Sequence, residues 1–220
     1  MSLTALAPEA ATSRAAPGMR VRRLGVARYV ATYEAMRRFT DARDAATPDE
    51  LWVLQHPPVY TVGLAGRPQH LPRGSTIPLE RIDRGGQITY HGPGQAIVYT
   101  LVDLHRRAIT VRGLVRLIEQ AVIDLLAGHG VAADRKAGAP GVYVRGAKIA
   151  ALGLRVRRGC AYHGVALNVD MDLSPFGDID PCGYPGLAVT QTSALGVPGS
   201  TDALGEALAR RIASLLEPPR

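Results

Sequence analysis

The chain has 220 residues, a net charge of +7, 46% hydrophobic and 5% aromatic residues, and two cysteines. That length suits one domain with a sizeable core. Two cysteines are too few for a disulfide framework, no apolar run approaches a membrane span, and the scarcity of aromatics argues against a stacking platform for single-stranded nucleic acid. Residues 1–18, rich in Ala, Pro, Ser and Thr, are predicted to be a disordered tail without a signal-peptide pattern, ahead of a single domain over 19–220 in a cytosolic protein. Arg20–Ala27 is predicted as a first strand and Tyr29–Ala45 as a helix ending before Thr47-Pro48. Leu51–Gln55 and Val59–Gly63 follow as strands, and residues 64–83 as an irregular excursion. After a glycine-rich run at 84–95, residues 96–103 form an apolar strand. Thr110 caps a helix carrying Leu114, Leu117, Ile118, Ala121, Val122 and Leu125 on one stripe, with Gly128 and Gly130 as stops. Strands are expected at 141–144, 148–156 and 163–169, and a last helix at 201–216. This order implies an α+β fold with a mixed, largely antiparallel sheet flanked by helices.

The glycine-rich run is the most informative stretch. Residues 84–95 hold four glycines and a proline, interleaved with Arg84, Thr89, Tyr90, His91 and Gln95. Such a backbone can approach a ligand closely. It matches neither the phosphate-loop pattern nor the dinucleotide fingerprint.

Cys182 lies between Pro181 and Gly183, which places it on a stiff turn; structural cysteines more often sit inside apolar runs. Lys148 and Lys136 are the only lysines in a chain otherwise built with arginine. Of the two cation types, only lysine gives up its proton at accessible cost. Lys148 precedes the apolar run from Ile149, so it is either a strand-end lysine reaching to water or a partly desolvated, chemically useful amine. Cys160 sits beside Arg157 and Arg158, whose positive field would also favour a thiolate.

The run at 84–95, together with Gly146–Gly153, Tyr162–Asp170 and Pro181–Gly183, resembles the octanoyltransferases of lipoate biosynthesis. The resemblance extends from about Val21 to Leu216, with four motifs in the expected order. It implies a fold similar to the biotin and lipoate protein ligase catalytic domain. It also implies transfer of octanoyl from acyl carrier protein to a lysine of a lipoyl domain, as the first step of endogenous protein lipoylation. On that resemblance Cys182 is the nucleophile that carries the acyl thioester, and Lys148 tunes it and serves as general base. Cys160 does not match the nucleophile position. A lysine ammonium beside a thiol favours the thiolate, while burial disfavours the ammonium, so such a pair titrates together.

Substrate contacts fall by resemblance on Arg84, Gly85, Gly86, Gln87, Ile88, Thr89, Tyr90 and His91, on Ala151, Leu152 and Gly153, and on Gly164, Val165 and Ala166. Their small residues suit a narrow acyl groove, where an octanoyl tail gains about 5 kcal/mol by burial. Oxyanion donors are expected among main-chain N–H groups near Gly183 or in the glycine-rich run. His91 and His163 either orient groups around the thiol or bond to backbone in the loop wall. No metal and no ATP are expected. The partners implied are octanoyl-acyl carrier protein as an acidic donor and, as acceptors, the lipoyl domains of 2-oxoacid dehydrogenases and the H protein of glycine cleavage. Arg155, Arg157 and Arg158 are the expected carrier docking face. An ATP-dependent ligase, an amidotransferase between lipoyl-type proteins, a nucleic-acid module and a non-catalytic lipid-binding domain are the competing readings.

Overall fold

The computed structural model describes residues 19–72 and 74–217, and the tail expected over 1–18 lies outside them. Ten strands and three α-helices follow in the order β1 (Arg20–Val26), α1 (Tyr29–Asp41), β2 (Glu50–Gln55), β3 (Val59–Val62), β4 (Leu79–Arg81), β5 (Ile88–His91), β6 (Gln95–Asp103), α2 (Val111–Ala127), β7 (Asp134–Arg135), β8 (Gly141–Val144), β9 (Ala147–Arg157), β10 (Cys160–Asn168) and α3 (Thr201–Leu216). Seven strands form one sheet in the order β1-β2-β6-β10-β9-β8-β7, and β4-β3-β5 form a second. Only β1 with β2 and β3 with β4 run parallel; every other neighbouring pair is antiparallel. The expected α+β class with a largely antiparallel sheet is therefore what the chain forms.

Alternation along the central strands explains the layers. Residues 96, 98 and 102 of β6 with 165 and 167 of β10 face a large apolar core, shared with Leu114, Ile118, Val122 and Leu125 of α2 and Leu204, Leu208 and Ile212 of α3. The opposite face, with Ile97, Tyr99, Leu101, Tyr162 and Ala166, packs Met36 of α1. Thr110 accepts from Gly113 N at 3.0 Å and Ser200 from Ala203 N at 3.2 Å, so both long helices start on side-chain caps.

Several sequence expectations are corrected. Helix α1 stops at Asp41 rather than Ala45, because Asp44 Oδ1 captures the N–H groups of Ala46 and Thr47 at 3.0 and 2.7 Å and builds a turn instead. The stretch 64–83 is not wholly irregular, since Leu79–Arg81 adds a strand parallel to β3. The glycine-rich run is part strand, β5 pairing with β3 from Val59↔His91 to Val62↔Ile88. Strand β10 begins at Cys160, three residues before the expected start, and the short β7 went unforeseen.

Candidate active site

A cleft of about 750 Å³ of free space, its open mouth included, lies between the inner face of the large sheet and β5. The register places its walls. On the sheet side, Ala151 pairs with Ala166 and that residue with Ile97, while Gly153 pairs with Gly164 and that residue with Tyr99. Arg84, Gly86, Gln87, Ile88, Thr89 and His91 come from the glycine-rich run. Twelve of the fourteen residues expected to contact substrate thus line one cavity, Leu152 and Val165 among them. The other two do not. Tyr90 points away into the cluster of Tyr60, Ile88 and Phe176, and Gly85 ties the run to β9 by donating its N–H to Leu154 O at 2.9 Å.

Lys148 also faces this cavity, and a bulge explains how. The β8–β9 register shifts between Val142 and Tyr143, so Ile149 and Ala150 both turn into the large core. Lys148 is thereby aimed the other way. It is 4% exposed, and its ammonium donates to Pro140 O at 3.0 Å and stands 5.2 Å from the Tyr143 ring. Of the two sequence alternatives, the strand-end lysine reaching water is therefore excluded.

Residues 181–183 form a single tight 3-10 turn closed by Gly183 N to Asp180 O at 2.9 Å, with Gly183 at φ +74°. Pro181 lines the cavity, which puts the main chain of Cys182 on its rim. The chain then runs beside Lys148: Lys148 N donates to Ala188 O at 2.8 Å and Thr190 N to Lys148 O at 2.9 Å. Cys160, in contrast, is 7% exposed within β10, its Sγ 3.8 Å from Arg158 O, and burial pushes its thiol above the ordinary range. The basic field expected to favour a thiolate there loses to desolvation.

A hydrogen-bond chain fixes the polar wall. Asn168 Nδ2 donates to Thr190 O at 3.0 Å, and Gln95 Nε2 to Asn168 Oδ1 at 3.0 Å. Gln95 Oε1 must then accept from His91 Nδ1–H at 2.8 Å, which leaves the lone pair on His91 Nε2. His56 Nδ1 donates to Ala27 O at 2.6 Å, so its Nε2 accepts from Tyr99 O–H at 2.7 Å. Burial holds both rings neutral, His91 pushed down to about 3 and His56 to about 4. His163 adopts φ +64°, a left-handed conformation rare for a side chain of this size. It places Nε2 3.7 Å from Asp83 Oδ1. Asp83 is held well below the usual carboxylate range, first by the nearby His163 and then by Tyr162 and Tyr33, whose hydroxyls donate to it at 2.6 and 2.9 Å. Neither His91 nor His163 bonds its imidazole to the loop backbone, so that alternative falls: His91 Nδ1 bonds the Gln95 side chain, and His163 Nε2 makes only the longer ion-pair contact with Asp83.

The glycines of the sheet are small for a reason other than groove width. A Cβ on Gly164 would collide with the Val98 carbonyl, and one on Gly153 would lie 3.0 Å from Arg84 Cδ and 3.2 Å from Gly85 O. Ala151 and Ala166 are the small residues that set the width. The sequence reading missed Tyr29, Tyr99, Asn168, Phe176 and Val189 in the lining. Asn168 carried a readable signal, a lone amide closing an apolar strand; Tyr29, on a distant helix, carried none.

A family model described as the lipoyl protein ligase A/B catalytic domain matches residues 29–213. The octanoyltransferase of Aromatoleum aromaticum is 60% identical over 216 residues, 98% of this chain and 94% of that protein. That of Thiobacillus denitrificans is 60% identical over 202 residues, 90% of this chain and 93% of the other. The chain belongs to the octanoyltransferases of this family. A lipoate protein ligase of Thermoplasma acidophilum shares the family fold with a TM-score of 0.72 at 17% identity, covering 91% of this chain and 84% of that one. The octanoyltransferase chain holds no group of three or more His, Cys, Asp or Glu side chains able to bind a metal among the described residues, and no described helix is long and apolar enough to cross a membrane.

Proposed function

We propose that this chain moves an octanoyl group from acyl carrier protein to a lysine of a lipoyl domain through an acyl thioester on Cys182. The observation that carries the reading is the buried Lys148 ammonium inside a narrow, mostly apolar cavity, on whose rim the Cys182 turn sits. In the first half-reaction Cys182, its proton already on Lys148, attacks the donor thioester as a thiolate. The carrier thiolate leaves, protonated by Lys148. In the second half the acceptor lysine attacks the acyl-enzyme, and Cys182 departs as a thiolate beside Lys148, which takes a proton from the attacking nitrogen. One thioester replaces another and then gives an amide, so no nucleotide has to drive the reaction. The tail lies against Ala151, Ala166 and Ile97, with Arg84–Thr89 covering it.

The acceptors are the lipoyl domains of 2-oxoacid dehydrogenases and the glycine-cleavage H protein, and the site of action is the cytoplasm. The acidic carrier docks at Arg155, Arg157 and Arg158. Part of that charge is already engaged: Arg157 Nε stands 2.7 Å from Asp41 Oδ1 and Arg155 Nε 3.7 Å from Asp83 Oδ2. A docking role there therefore rests on the remaining exposure of these side chains. Intact-protein mass after mixing with octanoyl-loaded carrier, without ATP, tests the reading. One octanoyl adduct on the wild type and on Cys160→Ala, absent from Cys182→Ala, is expected. An adduct that requires ATP, or one lost only in Cys160→Ala, would overturn it.

A further inference from the structure

The second half-reaction releases one more proton than Lys148 can hold. The side chain of a free lysine has a pKa of about 10.4, so at pH 7 only about one acceptor in 2,500 arrives as a neutral amine. An ammonium must lose one proton to become a nucleophile and a second as the amide forms. Lys148 takes the second. The first needs another base at the rim.

The structure holds a histidine and a carboxylate in the right place. Asp180, two residues before Cys182, has Oδ2 2.8 Å from His70 Nδ1. A carboxylate only accepts, so it fixes the hydrogen on Nδ1 and leaves Nε2 of the neutral ring with a free lone pair. A methyl group placed on Gly183 would lie 3.7 Å from that Nε2. The imidazole therefore reaches the turn bearing Cys182. His70 and Asp180 also line a second open cleft, with about 570 Å³ of free space, running along 69–71 and 177–180 and distinct from the acyl cavity.

We propose that His70, oriented by Asp180, is a second catalytic base that deprotonates the incoming acceptor lysine, with this second cleft as its path to water. The proposal rests on the acyl-enzyme reading and completes its proton balance. The acceptor ammonium gives a proton to His70 Nε2, and the amine forms its C–N bond to the acyl carbon. The second proton passes to Lys148 as the C–S bond breaks, and His70 returns its proton to solvent through the cleft. The Asp180 carboxylate also draws the cationic acceptor to the rim.

Single-turnover experiments on His70→Gln and Asp180→Asn test this. Each enzyme is loaded from octanoyl carrier and then mixed at pH 7 with a lipoyl domain or with hydroxylamine, a nucleophile that is already neutral. Loading shows that the variants are folded. Transfer to the lipoyl domain is expected to fall by about 100-fold in His70→Gln, while transfer to hydroxylamine stays within about threefold of wild type. Asp180→Asn should show the same selective loss, smaller in size. Equal losses on both nucleophiles, or a loss confined to loading, would overturn the role of His70. Failure of the wild type to load at all would instead remove the acyl-enzyme reading beneath it.

Discussion

Two buried polar clusters adjoin the central strands of the large sheet, one at the end of β6 and one beside β10 and β5, and they are built on opposite terms. At one, the fully buried Asp49 receives Arg43 at 2.5 Å, Arg107 at 2.7 Å and the N–H of Asp103 at 2.9 Å, so both carboxylate oxygens are occupied by protein donors. At the other, His91 Nε2 keeps its lone pair towards the cavity, and His163 Nε2 stands 3.7 Å from its carboxylate, beyond hydrogen-bond reach. Leaving buried polar groups unmatched costs stability. A cluster whose valences are filled holds the chain together; one that keeps valences open holds them for something that arrives.

The comparison breaks most sharply at Lys148. Lys148→Ala is expected to slow acyl-enzyme formation by about 10²–10⁴-fold while folding remains cooperative; stopped-flow loading beside a thermal melt reads both. Asp49→Asn should do the reverse. It strips the charge from the Arg43 and Arg107 contacts and is expected to cost about 3–5 kcal/mol, seen as a lower urea midpoint with loading per folded molecule nearly unchanged.

Acid sharpens the contrast further. His56 and His91 have folded values of about 4 and about 3, below the ordinary 6.5, so between those limits the unfolded chain binds more protons than the folded one. Their stabilisation is present above about pH 6.5 and is lost as pH falls from there towards 4 and 3. By pH 5 each should have lost about 2 kcal/mol, measurable as a falling urea midpoint between pH 7 and 5. A flat midpoint over that range would place charged imidazoles in the folded wall. The smallest effect belongs to neither cluster: Ser200→Ala removes the cap of α3 and should cost about 1 kcal/mol with no change in transfer rate.

Sequence periodicity revealed the elements that bury one face against a large core. Leu114 through Leu125 and Leu204, Leu208 and Ile212 announce their helices, and Thr110 announces where one begins; Leu215, expected on the same stripe of the last helix, is exposed, and Leu216 is buried in its place. What it missed was set by long-range pairing. Leu79–Arg81 has no alternation of its own and becomes a strand because β3 offers it an edge. The cavity was legible where a motif concentrated it, in residues 84–91 and around 151 and 164. Tyr29 joins the lining from a helix, and His56 and Asp83 stand against His91 and His163 from turns, with nothing in their local sequence to announce the destination. The tight packing of Gly164 against Val98 was misread as room for a ligand, since a glycine in a strand looks the same from sequence in either case.

The short ladder joining Lys148 to Ala188 and Thr190 has a consequence in time as well as in space. Five Cα–Cα steps separate Gly183 from Ala188, a tether of at most about 18 Å. While the two main-chain bonds at Lys148 are closed, the rim turn cannot drift beyond that leash. When they open, lysine and turn part company without any strand of the large sheet unfolding. The competent lifetime of the site is then governed by a local opening, cheaper than global unfolding. The amides of Lys148 and Thr190 should exchange with solvent together, and faster than those of Val98 and Val165 in the sheet behind them.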